Sequence, residues 1–308
     1  MSTGDANLSP TVSDTPSAVA DGAASDRRTA GGRRARLRWG HVALYVVLTA
    51  FMLLVILPFL SIALAALKTP EELVQSTFAL PSQWRWSNYA EAWQQAHFNR
   101  YFVNSLVVSL PVVAASTVLS VLSGYAFGRF SFPLRGFLFI LFLVGIMAPQ
   151  EAYIISLYYL MDRMGLIDTY WAMILPQIGM SVCFGTFWMR GYFEGVPGDM
   201  IDAARVDGCN SFSVLWRVIM PNAGAAVSTL VVLIFLWTWN DFLVPLVLTT
   251  SDLVKTLPLG LAFFQGRYQA NVPLIAAGAT IVALPTILVY IMFQRKFIQG
   301  ITSGSVRG

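Results

Sequence analysis

The stretch 42–67 reads VALYVVLTAFMLLVILPFLSIALAAL, 26 residues without a formal charge. A helix rises 1.5 Å per residue, so roughly 20 such residues cross a ~30 Å hydrocarbon core. The stretch is therefore read as a membrane helix. A secretory leader is the competing reading, since basic residues precede the stretch and Ala63-Leu64-Ala65 resembles a cleavage site. A leader's apolar part runs only about 7–15 residues, which favours the anchor. Composition agrees. Of 308 residues, 56% are hydrophobic and 12% charged, against roughly 25% charged in an average soluble domain. A soluble chain so poor in charge could not cover its surface.

Working outward from that helix, residues 1–40 differ from everything after them. The first 25 are dominated by Ser, Thr, Ala, Gly, Pro and Asp, a composition that predicts disorder. Arg27, Arg28, Arg33, Arg34, Arg36 and Arg38 follow, so 1–40 is expected to be a disordered basic tail ahead of a membrane domain, 41–308. Five more apolar segments are placed at about 101–127, 136–160, 171–189, 223–248 and 274–293. The fold class is all-α, an integral membrane protein of six spans. The third span is the least regular, with Pro149-Gln150-Glu151 near its middle.

Basic residues orient the chain, because cytoplasmic segments carry the excess of Lys and Arg. With the N-terminus inside, fourteen of the 20 Lys and Arg fall on the inner side. The outer six are Lys68, Arg85, Arg100, Arg163, Lys255 and Arg267. Both termini are expected in the cytoplasm. On this topology Cys183 lies in the membrane and Cys209 outside it, so the two cannot pair.

The inner loop 190–222 is neither a span nor a flexible linker. Asp199 is expected to cap a short helix, with Asp202 three residues on as a shortened capping-box partner. Met200, Ala203, Ala204 and Val206 give that helix a small apolar surface. Gly208 suits the left-handed position that ends a helix. Asn210 or Ser211 then starts a second helix, whose Phe212, Leu215, Trp216 and Ile219 fall at i, i+3, i+4 and i+7. Pro221 closes it. Exposed apolar side chains on such a knob point to docking into another protein; a segment lying on the bilayer surface is the alternative.

The segment Asp202-Ala203-Ala204-Arg205-Val206-Asp207-Gly208, with Val218-Ile219-Met220-Pro221, resembles the EAA loop of binding-protein-dependent ABC importer permeases. The family pattern is Glu-Ala-Ala, three residues, Gly, nine residues, Ile, one residue, Leu-Pro. Asp202, Val218 and Met220 depart from it conservatively, and Gly208 and Pro221 keep its spacing. Leu67-Lys68-Thr69-Pro70-Glu71-Glu72, Trp239-Asn240-Asp241-Phe242, Thr256-Leu257-Pro258-Leu259-Gly260-Leu261, Phe264-Gln265-Gly266 and the ending from Gln299 resemble the carbohydrate-uptake group. Within that group the chain is most similar to the smaller, six-helix, MalG-like permease.

The resemblance implies the rest as expectations. Two permeases form the pathway, two cytoplasmic ATPases bind them through these loops, and an extracytoplasmic sugar-binding protein delivers a sugar, oligosaccharide or polyol. The chain would sit in a bacterial plasma (inner) membrane in contact with lipid, without nucleic acid. Asp199, Asp202, Ala203, Ala204, Asp207, Gly208, Phe212, Trp216 and Pro221 would contact or shape the ATPase joint. Asp202 would either cap its own helix or accept a bond from the ATPase. The tail residues Gly304, Ser305, Val306 and Arg307 would reach the ATPase dimer, or else fray.

No G-x-x-x-x-G-K-[ST] phosphate loop occurs, since Lys68, Lys255 and Lys296 all lack the preceding Gly. The chain is thus read as no enzyme and as binding no cofactor, with ATP and Mg used by the partner. His41 and His97 are isolated, so no metal site is expected. Polar groups inside apolar segments are the pathway candidates, because they are costly in lipid: Asn104, Glu151, Asn240 and Asp241, with Trp237 and Trp239 as stacking rings or interfacial anchors. The loop from Thr69 to Arg100, with Trp84, Trp86 and Trp93, is either a docking surface for the binding protein or a lid on the membrane interface. A secondary transporter would show internal inverted repeats and more buried ionisable groups. No paired carboxylates or nucleophile–His pair marks a membrane enzyme.

Overall fold

Apolar runs near 20 residues long become helices because every backbone N–H and C=O must be satisfied within the segment. The computed structural model describes residues 22–76, 79–264 and 271–305, and these contain helices and no strand. The order is α1 (Gly22–Ala65), α2 (Pro70–Gln75), α3 (Ser87–Gln95), α4 (Phe98–Arg129), α5 (Arg135–Met147), α6 (Gln150–Arg163) and α7 (Tyr170–Glu194). Then follow α8 (Gly198–Val206), α9 (Ser211–Ser213), a wide π-type turn (Val214–Ile219), a 3-10 turn (Met220–Asn222), α10 (Gly224–Asn240) and α11 (Leu243–Leu248). The chain ends with α12 (Leu257–Gly260), a 3-10 turn (Leu261–Phe264) and α13 (Val272–Ser305).

The tail expected to be disordered spans 1–40. Residues 1–21 lie outside the described residues, whereas Gly22 onward is already α1 backbone. Ala and Arg, both good helix formers, dominate that stretch and continue the span's helix upstream. Met1–Leu60 forms one unit by itself, in which the apolar side chains from Leu44 to Leu60 are exposed, as lipid-facing groups would be. Residues 61–308 form the other unit.

Among the described residues, four helices are long and apolar enough to cross a membrane: Leu44–Ala65, Phe98–Arg129, Tyr170–Glu194 and Val272–Lys296. Two further pairs pass only if each bent pair counts as one span. These are Arg135–Met147 with Gln150–Arg163, bent by 99°, and Ser211–Asn222 with Gly224–Asn240, bent by 83°. The segment read as one span at 136–160 is therefore bent near its middle, whereas the 83° bend lies at Ala223, where the 3-10 turn meets α10, and the 223–248 segment is interrupted separately between α10 and α11. Pro149, which has no N–H to donate, follows the first break, and Asn240-Asp241 ends α10 seventeen residues in.

Within the second unit, α4 and α7 form the central pair, α10 packs on α4 and α13 packs on α10. The α4–α7 seam is made of small residues. Gly124 and Gly128 of α4 face the backbone and Cβ of Met189 and Phe193, and Gly185 of α7 faces Ser120. Ser123 Oγ and Thr186 Oγ1 share a hydrogen bond of 2.6 Å across it. Such contacts hold membrane helices together where apolar burial gives no preference over lipid. A second cluster joins α3, α4, α10 and α13 around Phe98, Tyr101 and Trp239. Cys183 and Cys209 are free thiols.

Candidate functional site

The 196–222 loop folds as a knob. Pro197 (φ −58°, ψ 135°) occupies the N-cap of α8. The expected caps are thereby displaced: Asp199 sits in the first turn, where its charge meets the positive end of the helix dipole, and makes no capping bond. Asp202 lies one turn on and approaches Arg205 at 3.8 Å, an exposed pair worth little. Ala204 is buried with Ile201, whereas Ala203 is exposed. The helix ends at Asp207, then Gly208 at φ +87°. The Cys209 N–H donates to Ala204 O and the Gly208 N–H to Arg205 O, both at 3.0 Å, the paired bonds of a Schellman stop.

Asn210 caps the next turn, its Oδ1 accepting from the Ser213 N–H at 2.8 Å. The helix expected after it does not keep a 3.6-residue period. Val214–Ile219 widens to a π-type turn, and the predicted single apolar face splits in two. Leu215 and Ile219 are buried, while Phe212 and Trp216 are exposed with ring centroids 6.0 Å apart. Val206 is 88% exposed, Phe212 66% and Trp216 37%, so the knob presents an apolar surface beside its turn. Pro221 is exposed in the 3-10 turn that leads to α10.

The knob is tied to the helices. Tyr125 of α4 donates through its hydroxyl to Ser211 O at 3.2 Å, its ring held edge-on by Phe130 and Phe193, each 5.3 Å away. Arg129 donates to Val196 O. Trp188 Nε1 of α7 donates to Ala226 O of α10 at 3.0 Å. Leu215 and Ile219 pack into the same core as α4 and α7. Knob and helix ends thus form one packed body.

A second feature is a cleft of about 970 Å³ beside α7. Gly145, Ile146 and Gln150, at the α5–α6 break, form one wall. Asn240, Asp241 and Phe242, at the α10–α11 break, form another, with Gln177 and Ser181 of α7 and Thr286 of α13 between them.

Three of the six side chains named for the pathway, Trp237, Asn240 and Asp241, meet here. Asn240 Nδ2 donates to Leu236 O at 2.8 Å and Thr286 Oγ1 at 3.2 Å. Asp241 Oδ1 accepts from the N–H groups of Leu243 and Val244 at 3.1 and 3.3 Å. The other three lie elsewhere. Glu151 is exposed in the first turn of α6. Trp239 is 1% exposed, its Nε1 donating to Val282 O at 3.1 Å, which makes it a core residue rather than a stacking platform. Asn104 is a bracket: its Nδ2 donates to Leu253 O at 2.9 Å and Lys255 O at 2.8 Å, and its Oδ1 accepts from Tyr170 at 2.7 Å.

Gln177 was missed by reasoning from charge and aromatics, although a lone amide inside an apolar span was there to be read. Of the tail residues, Val306 and Arg307 lie outside the described residues, and Gly304 and Ser305 end the α13 backbone. Gln265, Gly266 and Arg267 also lie outside them.

Known proteins match this chain along most of its length. The family described as "Binding-protein-dependent transport system inner membrane component" matches residues 116–302. A probable ABC transporter permease protein of Bacillus subtilis is 31% identical over 89% of this chain and 91% of its own. An arabinooligosaccharide transport system permease of Halalkalibacterium halodurans is 34% identical over 82% of this chain and 91% of its own. A trehalose transport system permease of Mycobacterium tuberculosis is 31% identical over 82% and 93%. Among solved structures, a chain of a bacterial ABC transporter involved in the import of the acidic polysaccharide alginate superposes with a TM-score of 0.73. It is 22% identical, with 84% of this chain and 97% of that chain covered.

Proposed function

The chain belongs to the family of binding-protein-dependent transport system inner membrane components, the permease subunits of ABC transporters, which are not themselves enzymes; from that premise we propose that it is a permease of an ATP-driven carbohydrate importer. It forms half of a pathway completed by a second, homologous permease. Two cytoplasmic ATPases drive it, and an extracytoplasmic binding protein delivers a sugar, oligosaccharide or polyol. It sits in the plasma membrane with six spans, the bent pair α5–α6 counting as one and α10 as another, and both termini inside. The carbohydrate reading is supported by relatives named for arabinooligosaccharide and trehalose transport.

The observation that carries the mechanism is the knob. Its two short helices meet at Gly208, it exposes Val206, Phe212 and Trp216, and its base is bonded to α4 through Tyr125 and packed on α7. In this reading Phe212 and Trp216 are the anchors that fill a groove of the ATPase, in the way buried aromatic side chains dominate interfaces. When ATP closes the ATPase pair, the knob is carried along, and α4, α7 and α10 follow as a packed body. The cavity between the two permeases then switches from facing inward to facing outward, a rigid-body transition. Asp202, exposed on the knob's surface, is free to accept a bond from the ATPase.

ATP-dependent sugar uptake tests this reading. The assembly is purified from native membranes through a tag on this chain and reconstituted into proteoliposomes with its binding protein. Uptake that requires ATP and is lost with Phe212→Ala, while the chain still folds, is expected. Uptake driven instead by a proton gradient, with no ATPase in the assembly, would overturn it.

A further inference from the structure

We propose that Gln177 is a cargo contact in the membrane, the side-chain amide that bonds the hydroxyl groups of a neutral, polyhydroxylated solute as it passes this subunit. The inference rests on the importer reading above and adds a site to it. Gln177 is 6% exposed, yet neither Nε2 nor Oε1 has a hydrogen-bond partner among the described residues. Buried polar side chains are almost always bonded. An amide left with a free donor pair and a free acceptor, on the wall of a cleft, is built to be completed by something that enters it.

The place supports this independently. Gln177 is seven residues into α7, roughly 10 Å along the helix from Tyr170 at 1.5 Å per residue. The breaks at Met147–Gln150 and Asn240–Leu243 both open onto its cleft. Non-helical backbone at membrane depth is tolerated where it is buried in protein or lines a water-filled cavity, and broken helices frame the binding sites of transporters. One such break has a local cause in Pro149. Two breaks converging on one cleft with an uncompensated amide mark a polar chamber.

Its chemistry selects the cargo. Gln150, Gln177, Ser181, Asn240 and Thr286 are neutral groups that match hydroxyls. Asp241 already accepts two N–H groups of its own chain, and no Lys or Arg is among the described lining residues. That argues against a phosphorylated or otherwise anionic solute. Trp237, 48% exposed and edge-on to Phe184 at 4.8 Å, supplies a ring for the apolar face of a sugar, the role that buried Trp239 cannot take. A volume of about 970 Å³ suits a small saccharide.

The test uses the reconstituted assembly with radiolabelled trehalose, arabinotriose and N,N′-diacetylchitobiose as probes. Gln177→Leu, which keeps the size and removes the bonds, is expected to raise KM for whichever sugar the wild type takes up by roughly tenfold, the loss of about one good hydrogen bond. In parallel, Gln177→Cys is made in a chain carrying Cys183→Ser and Cys209→Ser and treated with a charged, water-soluble methanethiosulfonate. Modification that the transported sugar slows is expected, and this arm decides if Gln177→Leu does not assemble. Wild-type uptake with unchanged KM in Gln177→Leu, or no modification at position 177, overturns the contact alone. Uptake of none of the three sugars by the wild type overturns the carbohydrate reading and the contact with it.

Discussion

Replacing Gly124 with alanine puts a methyl group where α4 and α7 touch. A Cβ there would lie 2.6 Å from Met189 Cβ, 2.9 Å from Arg190 N and 3.0 Å from Met189 C. None of these is the free end of a flexible side chain, so the helices must part by about 1 Å to restore ordinary contact. Overpacking of this kind costs about 1–3 kcal/mol, offset by up to about 1 kcal/mol from alanine's better helix propensity. The net, about 1–2 kcal/mol, corresponds to a melting point lower by roughly 2–4 °C for a domain of this size. The assay is heating in detergent followed by gel filtration. Gly185→Ala should behave alike, its Cβ meeting Ser120 Cβ at 2.6 Å and Leu230 Cδ1 at 3.3 Å. Gly136→Ala, with nothing within 4 Å, should be neutral or stabilising. If Gly124→Ala melts with Gly136→Ala, close α4–α7 contact does not hold the bundle and the reasoning fails.

Gly208→Val meets no atom within 4 Å but must hold a β-branched residue at φ +87°, at a cost of about 1–3 kcal/mol confined to the knob; the chain should express and melt normally while co-purifying with far less ATPase. Tyr125→Phe removes the bond to Ser211 O, worth about 1 kcal/mol, and should lower uptake per ATP hydrolysed while ATPase capture persists. Asp168 carries a pH dependence. Its carboxylate accepts from the Ser251 and Thr250 N–H groups and the Thr250 hydroxyl, which hold it below the usual range. A depressed carboxylate contributes stability that is complete above its unfolded value, near 3.9, and lost as pH falls through the lower folded value. The difference in thermal stability between wild type and Asp168→Asn should therefore be constant from neutral pH down to about 4 and shrink below it.

Much of this fold was legible because membrane helices announce themselves by length and apolarity. The runs at 42–67, 101–127 and 274–293 correspond to helices within a few residues, apart from longer ends. Pro149 marked the third segment as irregular without revealing its 99° bend, and Asn240-Asp241 gave no sign of the break after α10, because hydropathy averages over both and the windows remain apolar overall. Gly208 could be read from local chemistry alone, since a left-handed stop demands glycine wherever it occurs. The helix after it was misread because a π-type turn shifts the period, which sent Leu215 inward and left Trp216 outside. Asp199 lost its expected cap to Pro197, whose fixed φ already turns the chain. The α4–α7 seam had a readable sign in Gly124-x-x-x-Gly128, the small-residue spacing of packed membrane helices. Gln177 and Asn104, two amides in apolar spans, cannot be told apart in sequence. Only the carbonyls of Leu253 and Lys255 reveal that one is satisfied and the other is not.

Docking of the knob into an ATPase is tested most directly by placing a photo-crosslinking p-benzoylphenylalanine at position 212 in the native membrane. Illumination, followed by mass spectrometry of the adduct, identifies what Phe212 touches. A crosslink to a subunit carrying a phosphate-binding loop, lost when the same label is moved to buried Ile219, is the predicted result. A label at 212 that reacts only with lipid would contradict it and leave the knob as a surface-lying segment.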